Sequence, residues 1–599
     1  MKNRVHRMPM HCERNVGEDW EKYFTRQRGR IALLLLLWAI GVCSLNAQTA
    51  QFGIAVPMRD GVQLSADIWM PSESGPHPAI LVRTPYGKTN DFDGSNLESL
   101  GPTYARHGYV FVLQDVRGRG DSDGDFDFFF QEGRDGFDSV EWIAKQPWSN
   151  GRVGMLGLSY LGTVQWLAAS THPPHLVCIA PTTPGGRYFD ELPYVGGAFE
   201  LDWALHWLNG VAGRINQSAS ERLLNWREIY NHRPLLTMDE VMGRPMRLYR
   251  EFLEHNTLDE YWKRIAFGPE TFRAITIPTL TTTGWFDWVQ PGALFYWRGM
   301  QAFSPARSQQ YLVIGPWTHM ETFFGGHLNV GGFKFSSDSV IDNGAMQLAF
   351  FDHFMKEPSG ELSQPNALIY VTGINRWFHF DQYPPPEASM KRLYLHGPAP
   401  HEDNETGTLS WEMPDQSESP DQYTYDPRDA TPMSTPGTDQ RDLEKRRDVL
   451  VYSSQTLTQP LEVIGAVKLH LAASSDAMDT DFAAKVIDVF PDGRALNLGP
   501  RGVGVLRARY RNGYAKAELL TPGKAEEFEI VLFDIGHVFL PGHRIRVEVE
   551  SSAFPYINPN QNTGNPVATD VEWKVAHQTV YHDKVRASYL ILPVLPTSE

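Results

Sequence analysis

The sequence predicts an α/β core that is interrupted by a helical insertion and followed by an all-β domain. Strands and helices alternate from residue 52 to about 186, aromatic residues recur at helical spacing over 188–272, and short β-rich runs dominate from about residue 366. Alternation of strand and helix is the pattern of a parallel sheet, whereas short strands separated by turns are typical of a sandwich. At 599 residues the chain is long enough for more than one domain.

The elements of the core follow one another in a regular order. A hairpin signal, "RDG" at 59–61, precedes three strands with intervening helical patterns: "PAILVRT" (78–84), "YVFVLQD" (109–115) and "VGML" (153–156). The strand "LVCIAPT" (176–182) follows, and after the insertion the rhythm resumes with "ITIPTLTTTGWFDWV" (275–289), "QQYLVIGPWTH" (309–319) and the helix "AMQLAFFDHFMK" (345–356). These textures predict core segments over 48–186 and 276–365, a helical insertion over 187–275 and a β-sandwich over 366–599.

The N-terminal 47 residues read as an extension with a secretory signal peptide. An apolar run of about 13 residues, "IALLLLLWAIGVC" (31–43), follows basic residues and precedes the small residue Ala47, where cleavage is expected. The run is shorter than the roughly 20 residues of a membrane span, so no stable span is expected after cleavage. The segment before the run is unusually long and contains four acidic residues, Glu13, Glu18, Asp19 and Glu21, which leaves an uncleaved anchor or a later start site as alternatives. The expected location is secreted or periplasmic.

Charge and cysteine content narrow the function classes. The net charge of −17 argues against a nucleic-acid partner, which requires a basic surface. Of the cysteines Cys12, Cys43 and Cys178, only Cys178 remains after cleavage, so no intrachain disulfide is expected. Cys178 lies in an apolar run and is predicted to be a buried strand residue.

Two serines compete for the role of a nucleophile. Ser122 in "GDSDG" matches the pattern G-x-S-x-G letter for letter, but two carboxylates flank it and no helix follows. Ser159 in "GLSYLG" lies between a strand and a helix, where the helix N-terminus stabilises a developing oxyanion. Gly157 is expected to permit the strained turn, and Gly162 to allow close packing of the helix. The residues favour Ser159 as the nucleophile. The alternative is that Ser159 only caps the N-terminus of the following helix.

Partners for Ser159 are expected later in the chain, at the carboxyl ends of strands. Asp287 follows the strand "TLTTTGWF" and His319 follows "YLVIGPWT". The order Ser159, Asp287, His319 is that of a hydrolase of this kind of sheet.

Seven motifs, in order along residues 52–595, resemble the hydrolase family of cocaine esterase and X-prolyl dipeptidyl peptidase. They are "RDGVQLSADIWMP" (59–71), "VRTPYGK" (82–88), "QDVRGRGDSDGDF" (114–126), "GLSYLG" (157–162), "GWFDWV" (284–289), "GPWTH" (315–319) and "INRWF" followed by "PPP" (374–386). The resemblance implies an α/β-hydrolase core, a helical cap and a C-terminal jelly roll. It also implies that Ser159 is the nucleophile, His319 the general base and acid, and Asp287 the orienting carboxylate.

The resemblance further implies an oxyanion hole made of the Tyr86 hydroxyl and the Tyr160 backbone N–H. Within this family, α-amino acid ester hydrolases bind a substrate ammonium with carboxylates two and three residues after the catalytic Asp. Val289 and Gln290 stand there and are uncharged, although Asp190 or Glu191 remains available. We therefore expect a neutral, apolar acyl group, with Trp285, Trp288 and Val289 forming its pocket.

The predicted function is a serine hydrolase that cleaves an acyl ester through an acyl-enzyme intermediate and needs no cofactor. An amidase, acylase or dipeptidyl peptidase acting on N-acyl, β-lactam or X-prolyl substrates is the first alternative, and a non-catalytic jelly-roll binding protein is the second. No metal site is predicted: "HPPH" (172–175) reads as a loop, and "DTDF" (479–482) and "PNQN" (559–562) are weak calcium signals. The "GRGDSDGDF" loop is expected to hold a buried network around Asp115 and Arg117. A homodimer is possible on the β-rich edges.

Overall fold

The structure, a computed structural model, describes residues 49–89, 91–92, 95–217, 221–356, 366–397, 406–416 and 418–596. No helix within these ranges is both long and apolar enough to cross a lipid bilayer. The predicted signal segment, including its cleavage position at Ala47, lies outside the described residues, so those predictions stay open.

A ten-stranded sheet forms the centre of the α/β part of the chain, and its strands lie in the order β1-β2-β4-β3-β5-β6-β7-β8-β9-β10. Its strands are β1 (Thr49–Pro57), β2 (Gln63–Met70), β3 (His77–Thr84), β4 (Val110–Asp115), β5 (Ser149–Leu158), β6 (Leu176–Thr182), β7 (Thr279–Gly284), β8 (Gln310–Gly315), β9 (Ala367–Val371) and β10 (Arg376–Phe380). The strands from β4 to β9 pair in parallel, and β2 and β10 run antiparallel to their neighbours. The carboxyl ends of the parallel strands therefore meet at one edge of the sheet.

Twelve α-helices whose bounds lie within the described ranges accompany this sheet. They are α1 (Leu100–Arg106), α2 (Glu132–Ala144), α3 (Tyr160–Ala169), α4 (Leu201–Val211), α5 (Trp226–Asn231), α6 (Met238–Val241), α7 (Arg247–Glu254), α8 (Glu260–Lys263), α9 (Pro269–Ala274), α10 (Gln290–Phe303), α11 (His319–Phe324) and α12 (Asn343–Met355). The helices α4 to α9 lie between β6 and β7 in the chain, and we call the segment that carries them the insertion. Its short helices bury large side chains such as Tyr249, Phe252 and Trp262 in the same apolar cluster as β4 and α3.

The helices explain why the central strands are apolar on both faces. Every residue of β4 is buried, and so are the last six residues of β5. A parallel strand covered by helices on both sides has no face for water, so its sequence is a continuous apolar run rather than an alternation. Cys178 on β6 is fully buried, as predicted.

The rest of the chain forms an all-β domain. Its strands are β11 (Ser389–His396), β12 (Gly407–Ser410), β13 (Asp421–Tyr425), β14 (Leu450–Ser454), β15 (Leu461–Ser475), β16 (Asp481–Val489), β17 (Ala495–Asn497), β18 (Gly504–Arg507), β19 (Glu526–Phe539), β20 (Arg544–Glu550), β21 (Ala576–Tyr581) and β22 (Tyr589–Val594). These strands hydrogen-bond into one twelve-stranded network. The predicted α/β-hydrolase core with a C-terminal all-β domain is confirmed, whereas the jelly-roll topology and the exact segment boundaries stay predictions.

Candidate active site

Ser159 lies in the turn that joins β5 to α3. Its backbone has φ 57° and ψ −121°, a region that L-residues rarely adopt and that recurs at functional sites. Gly157 precedes it with φ 147°, and a Cβ there would lie 2.4 Å from the Cβ of Leu161. The strained turn that the sequence analysis expected at Gly157 is therefore present.

Gly162 explains the unusual spelling of this turn. A Cβ on Gly162 would lie 2.8 Å from the carbonyl oxygen of Thr182 on β6. The helix α3 thus lies directly against the neighbouring strand, and only glycine fits at this register. The packing role predicted for Gly162 is confirmed.

Asp287 and His319 are hydrogen-bonded to each other at the same edge of the sheet. Asp287 follows β7 and His319 begins α11 after β8, and these two strands pair in parallel up to Gly284 and Gly315. The Nδ1 atom of His319 lies 2.8 Å from Oδ1 of Asp287. Asp287 is fully buried, and its Oδ1 also accepts the Val289 N–H at 3.0 Å. A buried carboxylate at Nδ1 leaves Nε2 of the imidazole able to accept a proton.

Ser159 and His319 follow different strands of this edge, β5 and β8. Among the described residues no hydrogen bond joins Ser159 Oγ to His319. In enzymes without bound substrate such bonds are often long and shorten only in the complex. Ser159 is partly exposed in the turn.

The two tyrosines predicted for the oxyanion hole lie side by side. Their ring centroids are 6.5 Å apart, and Tyr86 lines the cavity that also contains His319. The Tyr160 N–H belongs to the first turn of α3, where backbone donors have no partner within the helix. The Tyr160 hydroxyl donates to Glu132 at 2.8 Å, and burial together with this carboxylate raises the pKa of Tyr160.

Glu132 and Arg83 form a buried pair beneath the turn. Arg83 Nη1 lies 2.5 Å from Oε2 of Glu132, and Arg83 Nε donates to Gln114 at 2.9 Å. Burial raises the pKa of Glu132, and the positive charge of Arg83 opposes that rise. The pair holds the Tyr160 ring from below, at the residue that follows Ser159.

A cavity of about 990 Å³ opens above this edge of the sheet, between the insertion and the all-β domain. Its wall is largely apolar and aromatic, with Trp203, Trp207, Phe286, Trp288, Met320 and Met433 among its members. The Trp288 ring lies 4.8 Å from the imidazole of His319. Two carboxylates, Asp202 and Glu221, also line the cavity, and both contact His206.

Arg501 closes one side of the cavity. Its guanidinium stacks on the rings of Trp288 and Tyr556, at 4.5 and 4.6 Å, and its Nη1 pairs with Glu200. Glu200 is fully buried, and burial raises its pKa from 4.5 to about 8 although Arg501 opposes that rise. Behind these side chains lies a second cavity of about 590 Å³, which shares Trp288, Arg501 and Tyr556 with the first.

Of the three predicted substrate contacts, only Trp288 lines the cavity. Trp285 is buried in the apolar cluster of the all-β domain, and its Nε1 donates to the Tyr370 carbonyl. Val289 is also buried, and its backbone N–H serves Asp287. Sequence spacing alone does not distinguish these positions, because the chain turns inward at both of them to meet other elements.

The positions considered for binding an ammonium group are occupied by structural bonds. Gln290 donates to the Asp534 carbonyl of the all-β domain at 3.0 Å. Glu191 accepts three backbone N–H groups, each at 2.8 Å, from Gly186, Arg187 and Gly292. Asp190 forms an ion pair with Arg187.

Ser122 is buried in a structural loop. Its Oγ accepts the Ser65 N–H at 2.8 Å and donates to the Asp115 carbonyl at 2.7 Å.

Asp115 and Arg117 are both buried, as predicted, but each has its own partners. Asp115 accepts the Lys88 N–H at 2.7 Å and lies near the Lys88 ammonium, whereas Arg117 pairs with Asp135 at 2.6 Å. The side chains of neighbouring residues in the loop therefore join separate networks.

The two segments with weak calcium signals contact each other, and the carboxylates of the first pair with arginines. Asp479 accepts from Arg509 at 2.7 Å and Asp481 from Arg507 at 2.8 Å, while Asn560 donates to both carboxylates. Within the described ranges no group of three or more His, Cys, Asp or Glu is placed to hold a metal ion.

Sequence reasoning missed the part of the site that the insertion supplies. Trp207 Nε1 donates to the Tyr86 hydroxyl at 3.1 Å, and Asn216 Nδ2 donates to the Tyr86 carbonyl at 2.7 Å. The available signal was the four-residue spacing of Trp203 and Trp207 in "DWALHWLNG", which places both on one helix face. That spacing does not tell whether the face meets a core or a cavity.

Comparisons with known proteins agree with this architecture. A family model for the X-Pro dipeptidyl-peptidase (S15 family) matches residues 60–321, and one for the X-Pro dipeptidyl-peptidase C-terminal non-catalytic domain matches residues 361–591. The cocaine esterase of Rhodococcus sp. (strain MB1 Bresler) is 34% identical over 575 residues, covering 90% of this chain and 98% of that protein.

Two solved structures share the fold along most of the chain. An α-amino acid ester hydrolase matches with a TM-score of 0.80 at 26% identity, covering 91% of this chain and 96% of that one. An aminopeptidase from the marine sediment archaeon Thaumarchaeota archaeon matches with a TM-score of 0.77 at 27% identity, covering 92% and 96%.

Proposed function

The chain belongs to the serine hydrolase family that contains cocaine esterase and the X-Pro dipeptidyl-peptidases (S15), and from this we propose that it hydrolyses acyl esters through Ser159, His319 and Asp287. The observation that carries the proposal is the 2.8 Å bond between His319 and the buried Asp287, at the sheet edge where β5 also ends in Ser159. Ligands of such sheets bind at this edge.

Each group has one task in the proposed reaction. Nε2 of His319 takes the proton of Ser159 Oγ as the oxygen attacks the ester carbonyl carbon. Asp287 holds the imidazole through Nδ1 and stabilises its charged form. The tetrahedral oxyanion accepts hydrogen bonds from the Tyr86 hydroxyl and the Tyr160 N–H.

Collapse of this intermediate releases the alcohol, which receives its proton from His319, and leaves Ser159 acylated. Water then attacks the acyl-enzyme with His319 again as the base, and Ser159 is restored.

We further propose that the acyl group is neutral and largely apolar. The tryptophans of the cavity wall and the Trp288 ring beside His319 favour it, because aromatic surfaces bind apolar groups. Two positions considered for binding an ammonium do not suit this purpose. Gln290 is uncharged and donates to a carbonyl of the all-β domain, and Glu191 already accepts three backbone N–H groups. Asp202 and Glu221 share His206, which reduces their availability to a cation.

The proposal is tested by the kinetics of the purified protein on matched substrates. Acyl p-nitrophenyl esters, the corresponding anilides and α-amino acid p-nitrophenyl esters separate esterase, amidase and amino-ester activity, and a Ser159→Ala variant reports background hydrolysis. We expect the highest kcat/KM on neutral acyl esters. A clear preference for α-amino acid esters would contradict the assigned acyl group, and equal rates for wild type and Ser159→Ala would contradict the mechanism.

A further inference from the structure

Trp207, on α4 of the insertion, contacts both tyrosines that the proposed function assigns to the oxyanion. Its Nε1 donates to the Tyr86 hydroxyl at 3.1 Å. The face of its indole stacks on the Tyr160 ring, with centroids 6.0 Å apart and planes inclined by 22°. A single side chain of the insertion thus contacts the hydroxyl of Tyr86 and the ring of Tyr160.

The chemistry of the indole fixes the direction of the bond to Tyr86. An indole N–H can only donate, so the phenol oxygen of Tyr86 accepts in this contact. The hydroxyl proton of Tyr86 must then point in another direction, away from Trp207. Accepting a hydrogen bond also polarises the phenol O–H and makes it a stronger donor.

The insertion holds the backbone of Tyr86 as well. Asn216 follows α4, and its Nδ2 donates to the Tyr86 carbonyl at 2.7 Å. Fully buried Arg119 donates to the carbonyls of Pro85, at 2.6 Å, and Val211, at 2.9 Å, and to the side chain of Asn216. The strand-end loop of Tyr86 is therefore fastened to the end of α4 at its main chain and at its hydroxyl.

We propose that Trp207 is a positioning residue that orients the Tyr86 hydroxyl toward the substrate oxyanion. This inference rests on the proposed function, because it concerns how the same site stabilises its transition state. It gives the insertion a part in the chemical step, in addition to its part in the cavity wall. The effect of Trp207 on the reaction passes through Tyr86 and not through contact with the acyl group alone.

A double-mutant cycle tests this coupling. Trp207→Phe removes the N–H and keeps an aromatic ring, and Tyr86→Phe removes the hydroxyl. We expect Tyr86→Phe to lower kcat by about a hundredfold, as for the loss of one oxyanion donor. Trp207→Phe should lower kcat by roughly tenfold in wild type and less than twofold in Tyr86→Phe, because the group that it orients is then absent.

Trp203→Phe is the matched control. Trp203 stacks on Trp207, with ring centroids 5.2 Å apart, and lines the same cavity without a hydrogen bond to Tyr86. Its substitution should change KM, and its effect should be equal in the wild-type and Tyr86→Phe backgrounds. Thermal unfolding of every variant identifies those whose loss of activity reflects unfolding.

Equal effects of Trp207→Phe in both backgrounds, or an effect on KM alone, would overturn the inference. Such a result would leave the proposed function standing, provided that the wild-type protein hydrolyses the ester. A wild-type protein that hydrolyses no ester and takes no fluorophosphonate at Ser159 would overturn the proposed function, and the inference with it.

Discussion

Two regions of the core place a serine after a buried strand, and only one of them has the geometry of a nucleophile. Ser122 follows β4 in a loop that carries the letter pattern G-x-S-x-G, yet its hydroxyl is buried and bonded on both sides. Ser159 follows β5 without the letter pattern, but it has the positive φ and the helix that the chemistry needs. The comparison teaches that the order of strand, turn and helix selects Ser159 as the proposed nucleophile, whereas the letter pattern G-x-S-x-G alone selects Ser122.

The surroundings of the two serines differ in charge as well. Lys88 lies near Asp115 and Asp121 in the Ser122 loop, so carboxylates there balance a cation. Ser159 immediately precedes the N-terminus of α3, and a helix N-terminus favours negative charge. The surroundings of Ser159 therefore suit the proposed oxyanion better than those of Ser122.

The largest expected difference comes from removing each hydroxyl. Ser159→Ala should lower kcat by about 10⁴-fold or more while the protein stays folded, because no other group forms the acyl-enzyme. Ser122→Ala should keep kcat within a few-fold and destabilise the protein by about 1–3 kcal/mol, since the Ser65 N–H loses its buried acceptor. Kinetics on one ester together with chemical denaturation separates the two effects.

The next prediction concerns Asp287, the hydrogen-bond partner of His319. Asp287→Asn should lower kcat by roughly 10³–10⁴-fold with little change in unfolding, because the amide no longer selects the tautomer with a free Nε2. Asp135→Asn is the control on the Ser122 side, where the carboxylate pairs with Arg117 at 2.6 Å. It should cost stability but leave the kcat of the folded protein within a few-fold; a similar kcat loss in both variants would contradict the assignment.

Substitution of Gly162, which packs α3 against β6, is expected to have the next largest effect on stability and activity. Gly162→Ala places a methyl group 2.8 Å from the Thr182 carbonyl, so α3 must shift away from β6. We expect destabilisation by about 1–3 kcal/mol and a loss of roughly tenfold in kcat/KM. Gly344→Ala on α12 is the control, since its nearest neighbour would be 3.5 Å away. Unchanged activity of Gly162→Ala would show that the register of the glycine is immaterial.

The elements of this comparison were predictable to different degrees. The strand before Ser159 and the strained turn at Gly157 follow from local sequence, because they depend on residues within a few positions of one another. The packing role of Gly162 was also predicted, although the backbone that it meets, at Thr182 on β6, belongs to another element. The burial of Asp115 and Arg117 was predicted, but their partners were not: Arg117 pairs with Asp135 on α2, which is distant in sequence from the loop. Adjacent residues on an irregular loop point in directions that sequence spacing does not determine.

Contacts between distant segments were the hardest to predict. Trp207 and Tyr86 are 121 positions apart, and their bond depends on how the insertion folds over the sheet edge. Trp285 belongs to the same motif as Asp287, yet its indole packs into the all-β domain. Apolar character does not tell which surface each side chain meets: Tyr86 and Trp285 are buried, whereas Trp207 is only partly buried.

The smallest expected effect concerns a buried acid on the Ser159 side. Glu200 faces Arg501, Tyr556 and Glu191, and its pKa is raised from 4.5 to about 8. A carboxyl with a raised pKa in the folded state binds its proton more tightly than in the unfolded state. The stability that it contributes is full below pH 4.5 and is lost as the pH rises through about 8.

Glu200→Gln removes this titration and keeps the shape of the side chain. The Tm of the variant minus the Tm of wild type should therefore increase by a few degrees between pH 5 and pH 9. Thermal unfolding of both proteins across this range measures the difference. A difference that stays constant or decreases with pH would contradict the raised pKa.

The most direct measurement of the central claim is the position of a fluorophosphonate label. Arg134, Lys145 and Arg152 lie between Ser122 and Ser159, so trypsin places the two serines in different peptides for mass spectrometry. We predict one label on the Ser159 peptide, its loss in Ser159→Ala and its retention in Ser122→Ala. Label on the Ser122 peptide, or full labelling of folded Ser159→Ala, would contradict the account.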